Sequence, residues 1–122
     1  MNEKELSTLS KTWIFDLDGT LVEHNGYKST ERILPGVVEF YQSNIKDDDV
    51  IVLMTARTKS QSLSALKVLK DNNLRYDMVI SELPHGERII FNDKKNSGLE
   101  TCHSVNLDRN KGLCEFRFKF CK

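Results

Sequence analysis

Residues 13–22 read WIFDLDGTLV, a hydrophobic run that stops abruptly at two carboxylates. One apolar residue separates Asp16 from Asp18, and a glycine and a threonine follow at once. Two like charges so close together destabilise each other unless something positive lies between them. The stretch therefore predicts a strand over residues 12–15 whose carboxyl end carries a chemically active acidic pair.

Short apolar runs alternate with helical patterns along the chain, which is typical of a parallel sheet covered by helices. One helix is predicted over residues 34–45, where Pro35 stands near the start. A second helix is predicted after Thr58, because Thr58 and Gln61 have the spacing of a capping box. Further strands are predicted over residues 49–55, 76–81, 88–92 and 103–107.

The last predicted strand, residues 113–120, alternates strictly between two kinds of side chain. One face carries Cys114, Phe116, Phe118 and Phe120, and the other carries Glu115, Arg117 and Lys119. This pattern predicts a half-buried strand at a sheet edge. Its aromatic face needs cover, either from the body of the domain or from another subunit, so a homo-oligomer is one expectation.

Composition and charge disfavour some classes of partner and indicate where in the cell the protein is located. The 122 residues suit a single domain, and 18 basic residues balance 18 acidic ones, so no net field attracts nucleic acid or a membrane surface. The strongly apolar run at residues 50–54 is too short to cross a membrane, and no secretory pattern opens the sequence. The three cysteines form no CxxC pair. A cytoplasmic protein with reduced thiols is expected.

Polar residues follow three of the predicted strands at the point where each strand ends. They are Asp16 and Asp18, Thr55 and Arg57, and Asn92 and Asp93. In an open parallel sheet, ligands bind beyond the carboxyl ends of the strands, so these side chains are predicted to share one edge.

Phosphoryl transfer through an aspartyl-phosphate is the chemistry that suits this set. Asp16 would attack phosphorus, and Asp18 would first protonate the leaving group and then activate water. Mg²⁺ between Asp16 and Asp93 would neutralise the phosphate. Thr55 and backbone amides of the turn would hold its oxygens, and Gly19 would let the backbone come close.

The motifs that carry this chemistry also resemble those of a known family. WIFDLDGTLV resembles the first motif of the haloacid dehalogenase superfamily, a hydrophobic strand followed by Asp-x-Asp-Gly-Thr. VIVLMTAR, at residues 50–57, looks like its second motif, and RIIFND, at residues 88–93, looks like its fourth. The three occur in the family's order with αβ units between them.

The resemblance implies an Mg²⁺-dependent phosphatase on a Rossmann-like, three-layer α/β fold with a mostly parallel central sheet. Fewer than twenty residues separate Asp18 from the first predicted helix, so the single domain over residues 1–122 is expected to lack a cap. The resemblance also assigns Asp16 as nucleophile, Asp18 as acid and base, and Thr55 as phosphate ligand. The predicted substrate-binding set is Gly19, Thr20, Thr55 and Arg57. The implied metal ligands are Asp16, the backbone carbonyl of Asp18, and Asp93.

Two positions depart from the family pattern. Asn92 stands where the family often has a second aspartate, which alters the predicted metal site. The family's third motif is a lysine, often followed by proline, but here Leu83 precedes the proline. Arg88, Lys94 and Lys95 are the alternatives for the missing charge.

A site without a cap is open, which favours a phosphorylated sugar or a related small metabolite as substrate. Residues 23–30 would form a flap over the site, where His24 or Tyr27 could touch substrate. The open site disfavours a phosphotransferase or mutase, and Thr55 stands where a receiver domain has its acceptor aspartate. The main alternative is a degenerate domain that binds phosphate, or serves as an assembly partner, without turnover.

Overall fold

The computed structural model describes residues 2–114 and 116–121, which form a small α/β fold with parallel strands. In chain order the elements are β1 (Asn2–Leu6), β2 (Thr12–Asp16), α1 (Val37–Asn44), β3 (Val50–Met54), α2 (Lys59–Asp71), β4 (Met78–Ile80) and β5 (Phe116–Phe120). A single 3₁₀ turn, Gly26–Lys28, lies between β2 and α1. Among the described residues, no helix combines the length and apolar character that crossing a bilayer requires.

Strands β2, β3 and β4 form one parallel sheet in that order, joined by crossovers through α1 and α2. Such crossovers are right-handed almost without exception, so steps in one direction put both helices on the same face of the sheet. That face carries Ile51 and Leu53, both fully buried. Ala65 and Leu69 of α2 belong to the same core cluster. The predicted helices and strands of this unit are confirmed, as is the capping box of Thr58 and Gln61.

Aromatic rings fill the core between α1 and β2. The ring of Phe40 meets Trp13 edge-on at 5.7 Å between centroids, and Tyr41 stacks on Phe15 at 5.8 Å. Phe118 of β5 approaches Trp13 to 5.6 Å, also edge-on. Such pairs add about 0.5–1.5 kcal/mol each beyond the area they bury.

Strand β5 confirms the predicted edge strand, because it pairs on one side with β1 in a separate two-stranded parallel sheet. Its phenylalanines pack against the core while Arg117 and Lys119 are exposed. The aromatic face is thus covered by the domain itself. The prediction for Cys114 was wrong, since Cys114 is exposed, and Glu115 lies outside the described residues. The sequence pattern did not predict β1.

The strands predicted over residues 88–92 and 103–107 are not formed. Both segments are irregular and mostly exposed, and Phe91 is 91% exposed. A parallel strand next to β4 would need a crossover of about a dozen residues, usually a helix. Only residues 81–87 are available, and they contain Pro84 and Gly86.

The second face of the β2–β3–β4 sheet is open in the described chain. Register places Ile14 beside Val52 and Val52 beside Met78 on this face, and Ile14 and Met78 are 45% and 56% exposed. Val50 and Ile80 are each 41% exposed. The predicted third layer is therefore not confirmed, and the sheet has helices on one side.

Asp49 ties the start of β3 to the edge of β2. Its carboxylate, buried in the fold, accepts hydrogen bonds from Trp13 Nε1 at 2.9 Å and from the backbone N–H groups of Lys11 and Lys46 at 2.8 and 2.9 Å. Burial alone would raise the pKa of Asp49, but these hydrogen bonds outweigh it and the pKa lies below its ordinary value. The folded state therefore prefers the ionised carboxylate.

We expect Asp49→Asn to lower the free energy of unfolding by about 1.5–3 kcal/mol near neutral pH, because an amide replaces an acceptor of three donors. A depressed pKa stabilises the fold above the unfolded pKa, and this contribution disappears as the pH falls through the folded value. The deficit should therefore shrink in urea titrations repeated at about pH 3. Asp47→Asn, at an exposed neighbour, is the control. A deficit that is the same at both pH values would contradict the assignment.

Candidate active site at the carboxyl edge of the sheet

The carboxyl ends of the three strands meet at one edge. The N–H of Leu17, just after β2, donates to the carbonyl of Met54 at 3.0 Å, and the N–H of Thr55 donates to the carbonyl of Ile80 at 3.0 Å. Four of the predicted site residues are brought together here, as expected: Asp16, Asp18, Thr55 and Arg57. Thr55 itself is completely buried, and its Oγ1 accepts from the N–H of Arg57 at 3.0 Å.

A tight turn follows Asp18. Gly19 has φ +79°, a conformation that side chains with a Cβ rarely adopt, and its N–H donates to the carbonyl of Val22 at 2.7 Å. Leu21 and Val22 both donate their N–H groups to the carbonyl of Leu17, and all three side chains are fully buried. These three buried side chains therefore anchor the turn in the core, and its polar side chains lie at the edge of the sheet.

Asp16 is the accessible acid of the pair. Its side chain is 36% exposed, and Oδ1 accepts from Arg88 Nη1 at 2.7 Å. Oδ2 accepts only a long hydrogen bond, 3.3 Å, from the hydroxyl of Thr20. Among the three cations left open by the sequence, Arg88 is the one that contacts Asp16. The carboxylate is thus partly neutralised yet open to solvent.

Asp18 is held in a buried ion-pair cluster. Arg57 Nε donates to both its oxygens, at 2.9 and 3.0 Å, and Nη2 donates to Oδ1 at 2.6 Å. The other side of the guanidinium binds Glu31, with Nη1 to Oε2 at 2.5 Å and Nη2 to Oε1 at 3.0 Å. Burial alone would lower the pKa of Arg57, but the bonds to Glu31 and Asp18 raise it above its ordinary value. Arg57 is therefore a permanent cation bound to two acids.

This cluster changes the expected part that Arg57 plays. Its side chain is 1% exposed, so the guanidinium does not reach a ligand and instead positions Asp18. The ring of Tyr27 lies 4.9 Å from Arg57 Cζ and covers it, and the hydroxyl of Ser64 donates to Glu31. The segment predicted as a flap, residues 23–30, is therefore held to α2 through Glu31, the residue that follows it.

The arrangement does not fit the predicted Mg²⁺ site. Asp93 lies in an exposed segment, where its backbone carbonyl accepts from the hydroxyl of Thr101 and the amide of Asn92 donates to that hydroxyl at 2.6 Å. Arg88 occupies Oδ1 of Asp16. Across the described ranges, no three His, Cys, Asp or Glu side chains stand close enough to hold a metal ion.

A third segment, missed by the sequence reasoning, packs against the turn. The N–H of Asn110 donates to the carbonyl of Gly19 at 2.9 Å, and its Oδ1 accepts from the N–H of His24 at 2.8 Å. The N–H of Leu113 donates to the carbonyl of Pro35 at 2.9 Å. The Asn-Lys-Gly sequence at 110–112 is a turn signal. Nothing local to it indicates that it packs against residues some ninety positions earlier.

Comparison of the chain with protein-family models, with curated proteins and with solved structures yields no match. The site is therefore interpreted from its own geometry.

We expect Arg57→Met to lower the free energy of unfolding by about 3–5 kcal/mol, because it leaves Asp18 and Glu31 buried without a counter-charge. Arg32→Met is the matched control, since Arg32 is 63% exposed in its ion pair with Glu23 and should cost less than about 1 kcal/mol. Urea denaturation followed by circular dichroism measures both. Equal losses of unfolding free energy in the two variants would refute the conclusion that the buried ion pairs of Arg57 stabilise the fold.

Proposed function

We propose that the protein is a phosphomonoesterase that forms an aspartyl-phosphate on Asp16 and acts on a phosphorylated sugar or a related small metabolite. The observation that carries this proposal is the half-exposed carboxylate of Asp16 at the sheet edge, paired with Arg88 at 2.7 Å. A carboxylate and a phosphate dianion repel each other. A guanidinium at this position offsets the repulsion and can bind the phosphate oxygens.

The first chemical step uses the oxygen of Asp16 that Arg88 does not occupy. This oxygen, Oδ2, attacks phosphorus, the ester P–O bond breaks, and the leaving oxygen takes a proton from Asp18, whose neutral form leaves Arg57 paired with Glu31. In the second step water attacks the same phosphorus and gives its proton to Asp18. The bond between phosphorus and Asp16 breaks and inorganic phosphate leaves.

The contrast between the two acids supports this division of roles. Asp16 is accessible to solvent, as a nucleophile must be. Asp18, two residues later in the chain, is held in place by Arg57. A proton carrier benefits from a fixed position because it must reach both the leaving group and the attacking water. Gly19 and Thr20 form the turn that follows the two acids, so they remain in the proposed substrate-binding set.

The Mg²⁺ requirement and the Rossmann-like three-layer fold without a cap belong to this proposal on the strength of the sequence motifs, and a cytoplasmic location on the strength of composition. The described residues bring no three metal-ligating side chains together, and helices cover one face of the sheet. The steps above use only side chains of the chain itself. The sequence motifs also propose Thr55 as a phosphate ligand, and its side chain is fully buried in this structure. A small phosphorylated molecule is the proposed partner, with no nucleic acid or membrane.

A non-catalytic domain that binds phosphate is the second candidate. It is favoured by the ion pairs on both acids and by the lack, among the described residues, of three carboxylate, histidine or cysteine side chains close enough to hold a metal ion. Such a domain would bind inorganic phosphate near Arg88 and hydrolyse nothing. Turnover separates the two candidates.

The test is hydrolysis of an aryl phosphate with Mg²⁺ and with EDTA. We expect activity that needs Mg²⁺ and falls about a thousandfold or more in Asp16→Asn, with Asp47→Asn as the control. Arg88→Gln should lose about a hundredfold in the same assay, because one positive donor at the developing charge is gone.

Undiminished activity in Asp16→Asn would refute the aspartyl-phosphate. Phosphate binding by calorimetry in a protein that hydrolyses nothing would support the non-catalytic domain instead. Activity that persists in EDTA would overturn the Mg²⁺ requirement alone.

A homo-oligomer is also part of the proposal, and the open sheet face supports it. Parallel sheets are normally covered on both faces, and Ile14, Met78 and Ile80 are 41–56% exposed here. We expect light scattering to give a mass above that of one chain, and Met78→Lys to return it to the monomer. Leu63→Lys is the control, because Leu63 is 64% exposed on α2, away from this face. A monomeric wild type would exclude the oligomer.

A further inference from the structure

The turn at residues 108–112 places one more cation beside the candidate active site. Its backbone is fixed at both ends, by Asn110 on the carbonyl of Gly19 and by Leu113 on the carbonyl of Pro35. Asn110 has φ +63°, and a Cβ on Gly112 would overlap the carbonyl of Pro35. A chain segment held this closely fixes the position from which a side chain starts next to Gly19. That side chain belongs to Arg109.

The stem of Arg109 lies directly against the Asp-Leu-Asp-Gly turn. A Cβ on Gly19 would stand 3.0 Å from Arg109 Cγ and 3.8 Å from its Cβ and Cδ. Glycine at position 19 thus makes room for this arginine as well as for the turn. Arg109 is exposed, so its guanidinium is open to a ligand in solvent.

Arg109 differs from the two other arginines of the site. Arg57 is paired with Asp18 and Glu31, and Arg88 is paired with Asp16. Within the described part of the chain, Arg109 has neither an ion pair nor a hydrogen bond from its side chain. It also makes no ion pair with Asp16 or Asp18, although it borders the turn that carries them. The positive charge of Arg109 is therefore available to bind a ligand.

We propose that Arg109 is a specificity-determining residue that binds a second anionic group of the substrate, beyond the phosphate that is transferred. This inference rests on the proposed function. The transferred phosphate meets Arg88 at Asp16, so a separate cation alongside Gly19 is placed for another part of the same molecule. A guanidinium binds carboxylate or phosphate through two parallel hydrogen bonds, and either group is the predicted partner.

The experiment compares matched substrates that differ in the second anion. Glycerol 3-phosphate and 3-phosphoglycerate differ in a carboxylate, and fructose 6-phosphate and fructose 1,6-bisphosphate differ in a phosphate. We expect the wild type to prefer the doubly anionic member of at least one pair by about tenfold or more in kcat/KM. The pair that shows the preference identifies the anion.

Arg109→Ala should reduce that preference about tenfold, chiefly through KM, and Arg109→Lys should restore only part of it. Lys111→Ala is the matched control, because Lys111 is an exposed cation of the same turn and should leave the preference unchanged. No preference in the wild type, or an equal effect of the two alanine variants, overturns the inference.

Binding of the same four compounds by calorimetry separates this inference from the proposed function. If nothing is hydrolysed but the doubly anionic compound binds more tightly, and Arg109→Ala removes the difference, the phosphatase fails and the role of Arg109 stands. If Asp16-dependent hydrolysis is found with no preference in either pair, the phosphatase stands and the role of Arg109 fails.

Discussion

The ion pairs of Arg57 are the constraint on which the geometry of the site depends. One guanidinium joins the acidic turn after β2, through Asp18, to the segment before α1, through Glu31. Glu31 in turn accepts from Ser64 of α2, and the ring of Tyr27 covers the guanidinium. Since burying a charge is costly unless it is paired, removing Arg57 would leave two buried carboxylates without a counter-charge. Positions that are distant in sequence are therefore fixed relative to one another.

The same cluster explains why two aspartates with one residue between them differ so much. Asp16 ends a strand and points to the open edge of the sheet, where solvent and Arg88 share it. Asp18 begins the turn and points inward to Arg57, with its side chain 14% exposed. Along an extended chain, residues two apart point to the same side, so the difference arises because β2 ends at Asp16 and the tight turn with Gly19 follows. Two different chemical roles can follow from one short motif.

Local signals predicted the parts of the fold that depend on local energy. The capping box at Thr58, the apolar run of β3 and the acidic end of β2 were readable because each rests on neighbours within a few residues. Strand β1 was missed, since its hydrogen bonds go to β5, more than a hundred residues later. The run at 88–92 was misjudged for the converse reason. Its composition favours a strand, but the linker after β4 is too short for a parallel crossover.

The acidic residues of the candidate site were easier to predict from the sequence than its arginines. Its acids, Asp16, Asp18 and Glu31, come from the first third of the chain, and the first two announce themselves as a motif. Of its cations, Arg57 was predicted at this edge as part of VIVLMTAR, Arg88 was one of three alternatives, and Arg109 belongs to no motif. Arg88 and Arg109 sit in irregular segments, and they reach the acidic turn through long-range contacts that leave no periodic pattern. In the proposed mechanism, the acidic motif is where the phosphate of the substrate reacts, and the later arginines bind its negative charges. Under the proposed function, the choice of substrate is therefore expected to depend on the segments after β4 more than on the acidic motif itself.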